Sequence, residues 1–238
     1  MRRGWVRPVI VLLLVAALPA YAAGPAYAAE NDACARLLKA HLRPATVGDI
    51  RVALVVYRAV KADLSYAQAL NALAESRPEA LTSDAQRVAF WVNAYNLAAI
   101  KAVLDEYPTR SVKDGGSLRK AFREPRVHFA IVCASLSCPD LRAEPFDAAR
   151  LDAPLDEQAA AFLSNPTKGL QLGADGRTAR VSAVFRWFAG DFSASGGVAT
   201  FIRAKSSPDV AARLGALTDA GLFYLDYGWS LNDTERSS

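Results

Sequence analysis

His128, Cys133 and Cys138 fall within eleven positions of a 238-residue chain that holds only two histidines and three cysteines. They sit in the run V-H-F-A-I-V-C-A-S-L-S-C-P, Val127 to Pro139. Such clustering gathers the reagents for nucleophilic catalysis, for a redox pair or for a metal. A cysteine nucleophile must be a thiolate, made by a neighbouring imidazole or a helix N-terminus. Val127 to Cys133 is apolar and β-branched, which predicts a strand. Five steps along a strand put His128 and Cys133 roughly 16 Å apart, and the odd offset turns their side chains to opposite faces. Cys138 follows A-S-L-S, where the chain can turn back, so it is the better thiol partner for His128. Asn93, Asn96 or Asp191 would then orient the imidazole, as the third member of a triad does. His41 is the other available base.

The same cysteines support a second chemistry. If the chain is exported, it meets an oxidising compartment in which Cys133 and Cys138 can bridge. The loop between them is short, so a bridge would stabilise the fold by about 2 kcal/mol at most. A permanent bridge excludes thiol catalysis, and a labile one makes a redox switch. Cys34 is left over, as a thiol or as an alternative pairing partner. A metal site built on His128, Cys133 and Cys138 matches no familiar zinc spacing, and no metal is expected. Gly115-Gly116 and Gly196-Gly197 match no phosphate-cradling or dinucleotide motif, so no cofactor is expected either.

The elements that must position these residues read as helices first and a mixed second half. Val52, Leu54, Val55, Tyr57 and Val60 suggest a first helix, in a segment that can also be partly extended. Tyr66, Ala69, Leu70 and Leu73 lie at helical spacing, ended by Pro78. Ser83 and Gln86 form a capping box for a long helix running to about Glu106, with Tyr107-Pro108 as its stop. Within it, Ala89 to Ile100 is apolar nearly all round but is interrupted by Asn93 and Asn96, three apart and on one face. A buried amide must be hydrogen-bonded or cost on the order of 1–3 kcal/mol. These two residues either tie the helix to neighbouring loops or line a pocket. Arg110 to Arg126 reads as the main loop. Pro154 to Leu163 reads as a helix. Gly169 to Leu172 and Thr178 to Ser182 form a hairpin about Ala174-Asp175-Gly176. Two further helices, at Val184 to Phe188 and Pro208 to Leu217, are followed by a strand at Leu222 to Tyr227. Without regular alternation of helix and strand, the class is α+β: a helical N-terminal half packed on a small mixed or antiparallel sheet, in a single domain.

Arg2, Arg3 and Arg7 precede an apolar stretch, Val9 to Leu18, that is too short to span a bilayer. Small-x-small sites follow at Ala20–Ala22 and Ala26–Ala28. This is the pattern of a secretory signal peptide over residues 1–28, leaving a domain at 29–238. Cleavage after Ala28 removes three arginines and no acid, and the formal charge falls from +4 to +1. Most of the basicity therefore belongs to the targeting segment, and neither nucleic acid nor an anionic membrane is indicated as a partner. The mature chain is expected to be exported, periplasmic or extracellular, with no membrane span and with a small-molecule or peptide ligand.

F-W-V-N-A-Y-N (Phe90 to Asn96), Pro125 to Pro139, Pro145-Phe146, Asp191-Phe192 and Y-G-W-S-L-N (Tyr227 to Asn232) occur in that order. Together they resemble the family known as domain of unknown function 547, over roughly Leu54 to Asn232. The family's closing motif usually carries an acidic residue where this chain has Gly228. The resemblance implies a widespread soluble domain of exported bacterial proteins and brings no assigned reaction. Two functions stay open. One is a cysteine-dependent hydrolase or acyl transferase centred on Cys138 or Cys133, His128 and an amide from Asn93 or Asn96. The other is a non-catalytic binding or scaffolding module with a structural or redox-active Cys133–Cys138 disulfide.

Overall fold

A computed structural model describes residues 25–109, 124–175 and 177–235. Helix α1 (Pro25–His41) leads into a hairpin of β1 (Leu42–Val47) and β2 (Ile50–Val55), paired antiparallel from Leu42 opposite Val55 to Val47 opposite Ile50. Gly48 in the hairpin turn has φ +55°, a left-handed conformation that glycine adopts without steric cost. Helices α2 (Tyr57–Ala62) and α3 (Leu64–Glu75) follow. The stretch Val52 to Val60 is thus not one helix: its extended half pairs with β1, and only the residues after Val56 are helical. The sequence left that alternative open, because the apolar positions there fit both periods.

Helix α4 (Asp84–Asp105) starts at the expected capping box. Ser83 Oγ accepts from the Gln86 amide at 3.1 Å, and Gln86 Oε1 accepts from the Ser83 amide at 3.0 Å. The helix is capped at Glu106, ahead of Tyr107-Pro108. It buries Phe90, Val92, Leu97, Ile100, Val103 and Leu104. The Arg110 to Arg126 loop lies mostly outside the described residues.

The expected strand at Val127 to Cys133 is a single helical turn, α5 (Val127–Ala130), followed by extended backbone at Ile131. The turn closes early: Val127, His128 and Phe129 donate to the carbonyls of Glu124, Pro125 and Arg126. An apolar run does not reveal its period when every position is buried, and here all six residues from Val127 to Val132 are. The segment threads between three apolar clusters, which explains that burial. Phe129 enters one cluster, Val127, Ala130 and Ile131 a second, and Val132 a third. Phe129 is the main anchor, ringed by Phe162, Phe185 and Phe201 at centroid distances of 5.4, 5.4 and 5.6 Å.

Helix α6 (Asp152–Leu163) is followed by β3 (Leu170–Leu172), β4 (Ala179–Val181), α7 (Ala183–Trp187), a 3₁₀ stretch at Ala189–Ser195, α8 (Val198–Lys205), α9 (Pro208–Arg213) and β5 (Leu222–Tyr224). The hairpin expected around Ala174-Asp175 is present as the antiparallel β3–β4 pair, and β5 adds parallel to β4. The class is α+β, with its strands in two small sheets rather than one. The N-terminal helices, with the cysteine loop, build one apolar cluster; α6, α8 and the three-stranded sheet build another. No helix of the described residues is long and apolar enough to cross a membrane.

Candidate functional site

The loop from Cys133 to Cys138 is held on three sides. From α4, Asn96 clamps its approach: the amide nitrogen donates to the Ala130 carbonyl at 2.9 Å, and the amide oxygen accepts from the Val132 N–H at 3.0 Å. From the C-terminal segment, the Leu136 amide donates to Ser230 at 2.9 Å, the Asn232 amide donates to Ala134 at 2.9 Å, and Ser135 bridges to Leu231. Gly228 donates to Ser137 Oγ at 2.8 Å, and its carbonyl accepts from the Ser137 amide at 3.3 Å. A Cβ at Gly228 would come 3.3 Å from Ser137 Oγ, so any larger residue there would press on the cysteine loop. From the third side, the fully buried Lys168 donates to the Cys138 carbonyl at 2.9 Å and to Asp140 at 2.7 Å. Ala134, inside the loop, has φ +60°, a left-handed conformation that costs a non-glycine residue on the order of 1–2 kcal/mol. The surrounding hydrogen bonds hold it there.

Between Val127 and Pro139 every residue is buried except Cys133, which is half-buried. Its Sγ lies 2.8 Å from Cys138 Sγ, 3.2 Å from Ser135 Oγ and 3.3 Å from Tyr227 Oη. Cys138 Sγ accepts the Cys133 backbone N–H at 2.8 Å. A disulfide bond is about 2.05 Å long, so the sulfurs are adjacent and unbonded. The Cys138 hydrogen bond pulls the Cys133 thiol below the ordinary thiol range, opposed by burial and aided by the Ser135 and Tyr227 hydroxyls. Burial, and then the charges of Cys138 and Cys133, push the Tyr227 phenol up, so it stays a proton donor. One backbone N–H favours charge on Cys138 and two hydroxyls favour it on Cys133. Cys133, the half-buried one of the two, is the better-placed thiolate.

His128 is placed differently. Its Nε2 pairs with Asp191 at 2.8 Å, and its ring stacks on Phe188 with centroids 4.5 Å apart. The orienting role expected of Asp191 toward His128 therefore has a geometric basis. The ring lies against the Phe188–Phe192 side of the molecule, whereas both cysteines belong to the cluster of the N-terminal helices. Because Val127 to Ala130 is a helical turn, the strand-based separation of His128 from Cys133 does not apply. Asn93 donates to the Phe146 carbonyl and accepts from its amide, both at 2.8 Å, and also donates to Asn31. Asn93 and Asn96 thus both bond to backbone, the contacts a tether makes. His41 pairs with Asp63 at 2.7 Å, at the cap of α3. Cys34 is buried in α1. Among the described residues no group of three or more His, Cys, Asp or Glu is placed to hold a metal ion.

Residues 113–163 match a family model described as a protein of unknown function, DUF547. The match supports the DUF547 family. The DUF547 segment contains His128, Cys133 and Cys138, and it ends before Lys168, Asp191 and Tyr227, which complete the site. No curated protein and no solved structure matches the chain.

Sequence reasoning missed Ser135, Lys168 and the hydroxyl of Tyr227 as partners of the cysteine pair. Tyr227 was legible as the end of an expected strand and the start of the motif Tyr227 to Asn232, neither of which points to the thiols. Lys168 gave no signal, since a single lysine in a loop reads as solvated.

Proposed function

We propose that this is an exported thiol–disulfide exchange protein, with Cys133 as the attacking sulfur and Cys138 as the resolving one. The observation that carries the proposal is the 2.8 Å separation of the two sulfurs, one on a half-buried residue and one on a buried residue. An accessible, low-pKa thiol beside a second thiol is the arrangement that dithiol exchange requires. The Cys133 thiolate attacks one sulfur of a substrate disulfide, whose S–S bond breaks as a mixed disulfide forms and one substrate sulfur leaves as thiolate. The Cys138 sulfur then attacks Cys133 Sγ and releases the second substrate sulfur. Protons from the two cysteines end on the two substrate thiols. The substrate gains two electrons and the protein closes a Cys133–Cys138 disulfide; starting from the oxidised protein, the same steps run in reverse.

Export is supported by the arginine-rich start, the short apolar stretch and the small-x-small sites. N-terminal sequencing of secreted material should begin at Ala23 or Ala29. The proposal is tested by intact mass and thiol alkylation across a series of glutathione buffers. Expected is a single two-electron transition mapped to the Cys133 and Cys138 peptides, lost in Cys133→Ser and Cys138→Ser. If both thiols still alkylate fully in the most oxidising buffer, the proposal fails.

A second reading, cysteine-dependent hydrolysis or acyl transfer, is favoured by one observation. His128 pairs with Asp191 as an imidazole with a carboxylate, the pairing by which a triad orients its base.

A further inference from the structure

A cluster of three aromatic rings reaches the attacking sulfur through one of its members, Tyr227. Tyr227, whose hydroxyl lies 3.3 Å from Cys133 Sγ, packs on Trp187 at 4.8 Å and on Trp229 at 4.7 Å between centroids. Trp187 and Trp229 stack on each other at 5.7 Å. Trp187 remains 39% exposed, and Tyr227 and Trp229 are half-buried. The trio joins α7 to the C-terminal segment, with exposed Trp187 in contact with the ring whose hydroxyl meets the thiol.

We infer that Trp187, Tyr227 and Trp229 form a subsite for an aromatic or large apolar side chain of a disulfide-bearing polypeptide, flanking the sulfur that Cys133 attacks. The inference rests on the exchange reading and names its substrate class. The chemistry of the surface selects the occupant. An exposed ring such as Trp187 pairs with another aromatic ring or an apolar side chain, in tilted or edge-on packing. Of the charged residues flanking the trio in the chain, Asp226 beside Tyr227 and Arg186 beside Trp187 are both exposed. The cation of α7, Arg186, sits over the Tyr224 ring at 5.3 Å. A small disulfide bearing several carboxylates gains nothing net from flanking charges of opposite sign, whereas an uncharged apolar peptide segment meets no repulsion.

The experiment uses the full mature chain and two disulfide-linked peptides that differ only in having Phe or Gly beside the cysteine. A buried aromatic contact is worth about 1.5 kcal/mol, so the Phe peptide should react roughly tenfold faster with wild type. That ratio should fall to near one in Trp187→Ala and stay high in Phe223→Ala, which removes an exposed ring elsewhere. An unchanged ratio in Trp187→Ala, or a wild-type ratio near one, overturns the subsite. Failure of the exchange reading is separately visible, because wild type would then not react with 2-hydroxyethyl disulfide at all. In that case a cysteine-free Phe peptide, followed by tryptophan fluorescence, still decides the subsite. Quenching that is lost in Trp187→Ala supports it. No quenching, or quenching by a neutral oligosaccharide instead, overturns it.

Discussion

Lys168 Nζ donates to the carbonyl of Cys138 at 2.9 Å from a side chain with no solvent exposure, and the same ammonium pairs with Asp140 at 2.7 Å. Asp140 Oδ1 also accepts the Ala53 amide at 2.8 Å. One buried lysine thus fastens the Cys138 backbone to the β1–β2 hairpin.

Removing that cation leaves a carboxylate and a carbonyl without their shared donor. Lys168→Met is expected to cost about 2–3 kcal/mol, below the usual range for a broken buried pair because Asp140 is partly solvated. The measurement is the urea midpoint in reducing buffer. The double variant Lys168→Met/Asp140→Asn should lose less than the sum of the single variants, since each single change strands the other partner. Additive losses would show that the pair is not coupled.

The lowered thiol pKa makes stability depend on pH with a definite sign. In the unfolded chain Cys133 titrates near about 8.5, and in the fold it titrates lower. The folded protein therefore binds fewer protons between those values, and its stability rises with pH across that window. The contribution is fully present above the unfolded pKa and is lost as pH falls through the folded one. The reduced wild type should gain stability over this window relative to Cys133→Ser. Tyr227→Phe and Ser135→Ala, each removing one hydroxyl donor, should move the alkylation pKa of Cys133 upward. A profile that matches a free cysteine in all of these proteins refutes the stabilised thiolate.

Asn96 and Asn93 separate tethering from chemistry. Each amide makes a donor and an acceptor bond to backbone, so Asn96→Ala and Asn93→Ala should each cost about 2–3 kcal/mol. Only Asn96 holds the residues just before Cys133, so only Asn96→Ala should alter Cys133 alkylation, by several-fold. Thermal unfolding and alkylation of the same samples read both effects. Loss of exchange in Asn93→Ala at unchanged stability would move that residue from tether to active group.

His128 divides the two functional readings. In dithiol exchange the imidazole is a packed, carboxylate-bound side chain, and His128→Gln should keep the exchange rate within about threefold. In the hydrolase reading it is the base, and losses of about a hundredfold or more are expected. Exchange kinetics and ester hydrolysis measured on one preparation of wild type and variant decide between them.

The legible parts of the fold are those with a local cause. The Ser83/Gln86 capping box, the span of the long helix and the β3–β4 hairpin each follow from side chains that act within a few residues. Val127 to Cys133 failed for the opposite reason. Its conformation is set by three separate clusters that bury all sides of it at once, and this erases the alternation by which a strand or helix is read.

The sequence by itself determined where the candidate groups gather: two cysteines and a histidine in one short run, with two amides interrupting an apolar helix. Composition and spacing are properties of the chain alone, and they needed no fold. Only the tertiary structure decided which of those groups meet. It set Cys133 against Cys138, Ser135 and Tyr227, gave His128 to Asp191, and brought Lys168 under the loop. Those partners lie up to 94 residues apart, and contacts at that range are set by packing of the core rather than by any local preference of the residues that make them.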